Sequence, residues 1–296
     1  MLPMKNALTV DLEDYYHVSA FNRNISEQQW SLQEDRVERS TDLLLQWFAD
    51  AGHKATFFTL GWVAEQHPHV VRRVAAQGHE VACHSLRHRT VYEMSSAEFR
   101  EDCRRAKQLL EDVSGTPVRG YRAPSFSITE KSFWAFDVLA ELGFQYDSSI
   151  FPVRHPNYGM PQASRSAFTV NTGAGRIVEF PLPTLEFAGR RSPLAGGAYL
   201  RLLPYWYTRW GIRYLNASEN RSVCVYLHPW EVDPGQPALK GSLSARLRHR
   251  LGLHGLSAKL RRLLRDFEFC SLGSLVDQIA TPATQGVLAG GATKEA

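Results

Sequence analysis

Gly78-His79-Glu80-Val81-Ala82-Cys83-His84-Ser85-Leu86-Arg87-His88 opens as a short apolar strand and ends in two histidines four positions apart. If the chain coils after Cys83, that spacing aims both imidazoles at one point. A divalent metal suits such a point, because neutral imidazole is a good ligand for zinc and its neighbours. A catalytic site usually adds a carboxylate and keeps one position open for water. The pair alone says little in a chain with 11 histidines, so its meaning depends on the sequence around it.

Outward from this stretch the chain alternates strand and helix. Ala7-Leu8-Thr9-Val10 is a β-rich run that empties into Asp11-Leu12-Glu13-Asp14. Carboxylates so crowded at a strand end repel one another unless a cation sits among them; the plain alternative is a solvated acidic loop. If the extended chain persists, Asp11 and Glu13 share a face; if it turns after Leu12, Asp14 could take the place of Glu13. Helical spacing follows from about Leu32 to Ala51, with Leu43, Leu44, Trp47 and Phe48 on one face and Gly52 as its stop. Next come a strand at Ala55–Leu60, a helix at Val63–Ala76 stopped by Gly78, and the His84/His88 strand and loop. Ser95-Ser96-Ala97-Glu98 has capping-box spacing and starts a helix to about Val113. Val118–Tyr121 is a strand leading to Arg122-Ala123-Pro124, Glu130–Leu142 a helix, and Phe144–Ile150 a strand. This rhythm predicts an α/β fold in which parallel strands are joined by right-handed crossovers, a barrel or an open sheet. Chemistry in such folds collects at the carboxyl ends of the strands, where the acidic cluster, both histidines, Arg122, Asp147 and His228 all fall.

Prolines and glycines between Phe151 and Ile177 predict a loop-rich excursion or small hairpin. A strand resumes at Ile177–Pro183, and a turn at Ser192–Gly197 leads into an aromatic helix whose rings are expected mostly in the core. Ser222–Glu231 reads as a strand ending at His228-Pro229. From Lys240 to Arg265 the chain is rich in Arg, Lys and His. The run predicts a solvated helix face, with weak attraction to an acidic polymer or an anionic membrane surface as the lesser reading. A strand near Phe267–Cys270 and a short helix complete a single catalytic domain over 1–280, and residues 281–296 read as a disordered tail.

Composition narrows the classes. The 296 residues are 44% hydrophobic, enough for a substantial core, and the formal charge of +4 gives no case for nucleic acid. The four cysteines are scattered without a C-x-x-C, which suggests buried thiols in a reducing compartment. No leader pattern and no transmembrane-length apolar run stands out, so the expected location is cytoplasmic; the sequence leaves the oligomeric state open.

One or two carboxylates with His84 and His88 around a divalent ion point to acyl hydrolysis. The ion would lower the pKa of water toward about 7 and polarise the scissile carbonyl. Asp11 could take the proton, His228 could protonate the leaving nitrogen, and Arg122 would keep Asp11 ionised and oriented.

Taken in order, Asp11-x-Glu13-Asp14, His84-Ser-Leu-Arg-His88, Arg122-Ala-Pro124, Tyr146-Asp147-Ser148-Ser149 and Leu227-His228-Pro229 resemble the five motifs of the polysaccharide deacetylases with a NodB-type domain (carbohydrate esterase family 4). The likeness spans roughly residues 7 to 230. It implies a distorted (β/α) barrel of about seven strands. It also implies metal-dependent removal of N-acetyl groups from amino-sugar polymers, zinc being the expected ion, with Asp11, His228, Arg122 and Asp147 as catalytic residues. Many members carry adjacent aspartates in the first motif, whereas here the acids are spaced. That spacing is similar to a peptidoglycan-deacetylase-like and allantoinase-like branch; on it Asp11 is the base and Glu13 the ligand, with Asp14 as the alternative. Val10–Val18 and Gly196–Pro204 further resemble deacetylases of exosortase-associated exopolysaccharide loci, which implies a role in exopolysaccharide biosynthesis. An N-acetylated glycan is thus the expected partner. A hydrolase of a small cyclic amide and a silent glycan-binding barrel are the competing readings.

Overall fold

The structure, a computed structural model, describes residues 4–22, 24–155 and 158–280; the tail expected at 281–296 lies outside them. The strand–helix rhythm is present from the start: β1 (Lys5–Leu12), α1 (Val37–Ala51), β2 (Thr56–Thr59), α2 (Gly61–Gln66), α3 (Pro68–Ala76), β3 (Glu80–Cys83), α4 (Ser96–Ser114), β4 (Gly120–Tyr121), α5 (Ala135–Glu141) and β5 (Tyr146–Asp147). Two hairpins follow, β6 (Phe168–Thr172) with β7 (Gly175–Glu179), and β8 (Thr184–Phe187) with β9 (Arg190–Pro193). The chain then forms α6 (Gly197–Leu202), α7 (Tyr205–Ser218), β10 (Cys224–Leu227), α8 (Leu243–Arg250), α9 (Leu253–Asp266), β11 (Glu268–Cys270) and α10 (Leu272–Ala280).

The principal sheet runs β10-β1-β2-β3-β4-β5-β7-β6, with β11 also on β1. From β10 to β7 every pairing is parallel, seven strands among the described residues. No ladder joins β7 to β10 among those residues. The sheet curls until its strands meet across the interior: Arg122, after β4, reaches Thr9 on β1 and Cys224 on β10. The sheet is therefore a distorted barrel.

Its strands are buried on both faces, as crossover helices require. Leu8, Val10, Phe57 and Val81 belong to the outer core under the helices. Ala7, Phe58, Ala82, Tyr146 and Cys224 form an inner plug, closed below by Leu272, Leu275 and Val276 of α10. Gly120 is required there, since a Cβ would stand 2.1 Å from the Tyr146 ring. The plug fills the barrel's amino-terminal end, so polar side chains have room only at the carboxyl end.

Several local expectations change. The helix read over 63–76 is two helices, because His67 leaves helical geometry and Pro68 starts α3 at a position where no amide hydrogen is needed. The aromatic helix breaks in the same way at Pro204, and its rings are less buried than expected: Trp206 and Trp210 are exposed, while Tyr205 is buried. The β8–β9 hairpin was hidden because its turn is Ala188-Gly189, both at positive φ, without the Asn-Gly or Asp-Gly signal.

Candidate active site

β1 stays extended through Leu12, and Asp11 and Glu13 reach the same cavity. Past β3 the chain coils through two residues at positive φ, Ser85 (68°) and His88 (53°). The coil is pinned by amides of Gly61 and Trp62 donating to the carbonyls of Ser85 and Leu86, and by Asp102 accepting from the Leu86 amide. Gly61 is needed, for a Cβ there would meet Leu86 at 2.6 Å. The imidazoles of His84 and His88 end with centroids 5.4 Å apart.

Glu13, His84 and His88 each present a ligand atom within 4.8 Å of the others, all buried. His84 Nδ1 lies 2.8 Å from the Arg122 carbonyl, so it carries the hydrogen and leaves Nε2 with a free lone pair. Burial lowers the His84 pKa to about 4, keeping the ring neutral as a ligand must be. His88 Nε2 is 2.9 Å from Glu13 Oε2, yet the contact lacks hydrogen-bond geometry and that buried oxygen has no donor. Burial alone would raise the Glu13 pKa, but the charge and contact of His88, with His228 and His84, hold it well below the usual carboxylate range. A buried, ionised carboxylate with an oxygen left over, beside two imidazoles, fits a divalent cation.

Asp11 stands to one side. Its Oδ1 accepts from Arg122 Nη1 at 2.7 Å, leaving Oδ2 toward the cavity. Arg122 is fully buried; it also donates to Thr9 Oγ1 and to the carbonyl and hydroxyl of Ser148, and lies 4.1 Å over the Phe58 ring. So many partners fix the guanidinium, and with it Asp11.

His228 faces them from the end of β10, with Nε2 3.8 Å from Asp11 Oδ2 and 3.6 Å from Glu13 Oε1. On its other side Nδ1 is 3.2 Å from Glu231 Oε2. Burial opposes a charged ring here, yet Glu231, Glu13 and Asp11 together push the His228 pKa up to about 9. Trp230 stacks on the imidazole at 5.1 Å, and Arg201 Nε donates to Glu231 Oε1 at 2.6 Å. Glu231 was missed as a functional residue, although it lies only three positions after the histidine in Leu227-His228-Pro229-Trp230-Glu231.

Two expected residues fall elsewhere. Asp14, the alternative ligand, is outside the cluster because both its oxygens are used. Oδ1 accepts from the Tyr15 amide, and Oδ2 accepts from the amides of Arg36 and Val37, at the start of α1. Asp147, expected to be catalytic, does not line the cavity; it accepts from the amide and hydroxyl of Ser149, whose Oγ accepts from the Ala123 amide. Its reach is thus to the Arg122-Ala123-Pro124 loop.

The cavity has a volume of about 450 Å³. Asp11, Glu13, His84, His88 and His228 form its floor; Phe21, Phe126 and Tyr226 contribute to its walls, and Ser244, Ala245 and Arg248 of α8 to its rim. Ser125 and Phe126, both at positive φ, turn the loop after Pro124 into this wall. No other set of three His, Cys, Asp or Glu able to hold a metal occurs among the described residues. All four cysteines are free thiols.

The polysaccharide deacetylase family model matches residues 27–146, and residues 148–277 match a domain of unknown function, DUF3473. A peptidoglycan-N-acetylglucosamine deacetylase of Bacillus cereus is 32% identical over 83 residues, 28% of this chain and 30% of that protein. A chitooligosaccharide deacetylase of Bradyrhizobium sp. is 32% identical over 87 residues, 29% of this chain and 37% of that protein. The chain thus spans about a third of the length of these relatives. Among solved structures, one from Mycobacterium smegmatis described as a polysaccharide deacetylase superposes with a TM-score of 0.63 at 19% identity, covering 99% of each chain. PuuE allantoinase superposes at 0.60 and 17% identity, covering 94% of this chain and 91% of its own. At these identities the likeness is one of fold.

Proposed function

We propose that this chain, whose residues 27–146 match the polysaccharide deacetylase family model, hydrolyses N-acetyl groups of amino-sugar residues in a bacterial glycan or its precursor. The observation that carries the reading is a carboxylate and an imidazole facing one another across a metal-competent triad. Asp11 is fixed by Arg122 on one side, and His228 is fixed by Glu231 on the other. The names of the relatives, deacetylases of N-acetylglucosamine polymers and chitooligosaccharides, support the substrate class.

Glu13, His84 and His88 would hold the divalent ion, most simply zinc given two imidazoles and one carboxylate. Bound there, the ion would supply an activated water and a polarised acyl carbonyl. The chain's own groups move the protons. Asp11 Oδ2, whose partner oxygen is held by Arg122, takes a proton from water as the water oxygen bonds to the acyl carbon. His228, protonated at neutral pH by its raised pKa, gives the Nε2 hydrogen to the amide nitrogen as the C–N bond breaks. Acetate and a free amine result. The apolar rings of Phe21, Phe126 and Tyr226 exclude bulk water and offer faces for a sugar.

Acetate release from N-acetylglucosamine oligomers by the purified chain, with added divalent metal, tests this reading. Asp11→Asn is expected to lower kcat by about 10²–10⁴-fold while retaining stoichiometric metal. His84→Ala with His88→Ala should lose metal and turnover together. Full activity in Asp11→Asn would sink the proposal. The spaced acids Asp11 and Glu13 favour one further reading, hydrolysis of a small cyclic amide, and ring opening of allantoin without acetate release would select it.

A further inference from the structure

α8 carries two different faces. Ser244, Ala245 and Arg248 line the cavity rim, whereas Leu243, Leu247 and Leu251, at four-residue spacing, are 70%, 51% and 51% exposed. Arg201 Nη1 donates to the carbonyls of Arg248, His249 and Leu251, so the ends of α6 and α8 meet. The exposed Leu202 follows Arg201 directly, and Trp206, the most exposed of these aromatics, starts the next helix. Exposed leucines are thereby gathered beside the cavity mouth, with nothing packed over them among the described residues.

The charge of this surface is one-sided. Lys240 to Arg265 contains eight Lys and Arg and no Asp or Glu. Among the described residues, Arg246, Arg248 and Arg250 form no ion pair with a carboxylate. Arg246 and Arg250 sit beside the leucine stripe, where their aliphatic stems can lie along apolar surface while their heads reach outward.

We propose that this face docks on an anionic lipid bilayer. Leucines at the acyl boundary and arginines against lipid phosphates are the arrangement a bilayer surface rewards. A second copy of the chain fits less well, because a self-complementary contact would set like charge against like. A free acidic polymer would engage the arginines and leave the leucines in water. Since the adjoining face of α8 rims the cavity, docking sets the cavity mouth among the headgroups, where a glycan still attached to a lipid carrier would present itself. That last consequence rests on the deacetylase reading, whereas the docking itself does not.

Co-sedimentation of the full chain with phosphatidylcholine vesicles, with and without phosphatidylglycerol, tests the docking independently of activity. Binding is expected to the phosphatidylglycerol vesicles and is weakened by salt. Leu243→Ser with Leu247→Ser, both exposed and outside the cavity, should weaken it by about tenfold or more. Arg246→Glu with Arg250→Glu should cost about fivefold or more per charge. Failure of the wild-type chain to bind at low salt overturns the proposal. So does binding that survives the leucine substitutions, or a concentration-dependent dimer that those substitutions dissociate.

Discussion

His228 and Glu231 sit three residues apart on the turn after β10, and the contact between their side chains governs which protons the cavity holds. Glu231→Gln keeps the size of the side chain but removes its charge, so the His228 pKa is expected to fall from about 9 toward the ordinary imidazole range. An acid works only while protonated, so the loss must grow as pH rises. kcat/KM near about pH 8 should drop more than near about pH 6, and an unchanged alkaline limb would remove this role from Glu231. Arg201 would keep its three backbone acceptors, so the fold should tolerate the change. Strand-end position made Asp11, Glu13, His84, His88, Arg122 and His228 legible as one cluster in the sequence. Glu13 and Asp14 could not be separated in that way. The distinction depends on β1 running through Leu12 and on Asp14 then capping α1, a pairing 22 residues away that local pattern does not reveal.

The junction of β5 and β7 shows how an element can hold a loop it never touches. Asp147 and Glu179 are register partners, both fully buried. Two adjacent buried carboxyls cannot both ionise. Burial first, and then the charge of Asp147, push Glu179 well above the usual range. A carboxyl whose folded pKa is raised contributes stability present below its unfolded pKa and lost as pH climbs through the folded value. Glu179→Gln mimics the protonated form, so its thermal midpoint should decline less than that of the wild type as pH rises above the ordinary carboxylate range. Glu179→Ala should cost stability at every pH, because the Ile150 amide then loses its acceptor. Parallel midpoints for the glutamine variant and the wild type would show that no proton is shared. This pair was beyond sequence reading, since Glu179 lies on a strand reached only after a proline-rich excursion. The break at Pro68, by contrast, could have been read, because a proline inside a helical pattern ends the helix before it.

At the scale of the whole molecule, the cavity belongs to neither matched segment alone. His84, His88 and Arg122 lie in the deacetylase-matched stretch and His228, Glu231 and Arg248 in the DUF3473-matched one, while Asp11 and Glu13 precede both. One sheet crosses the boundary at the β5–β7 pairing and returns to β1 through β10. The βα rhythm announced the parallel sheet; its curling around Arg122 and the α10 plug depends on contacts more than a hundred residues apart, which periodicity cannot encode. A cation at Glu13, His84 and His88 would bind only where β1 and β3 are already side by side, so it should act as a ligand of the folded state. Such a ligand adds about 2.7 kcal/mol at a hundred times its Kd. Zinc added to the chelator-treated chain is therefore expected to raise the thermal midpoint by several degrees, with the gain increasing with concentration and reversed by chelator. His84→Ala should abolish the gain, while Asp11→Asn, outside the triad, should keep it. A midpoint indifferent to metal in the wild type would mean that the two imidazoles and Glu13 balance one another without an ion, and the acyl hydrolysis proposed for this cavity would lose its activated water.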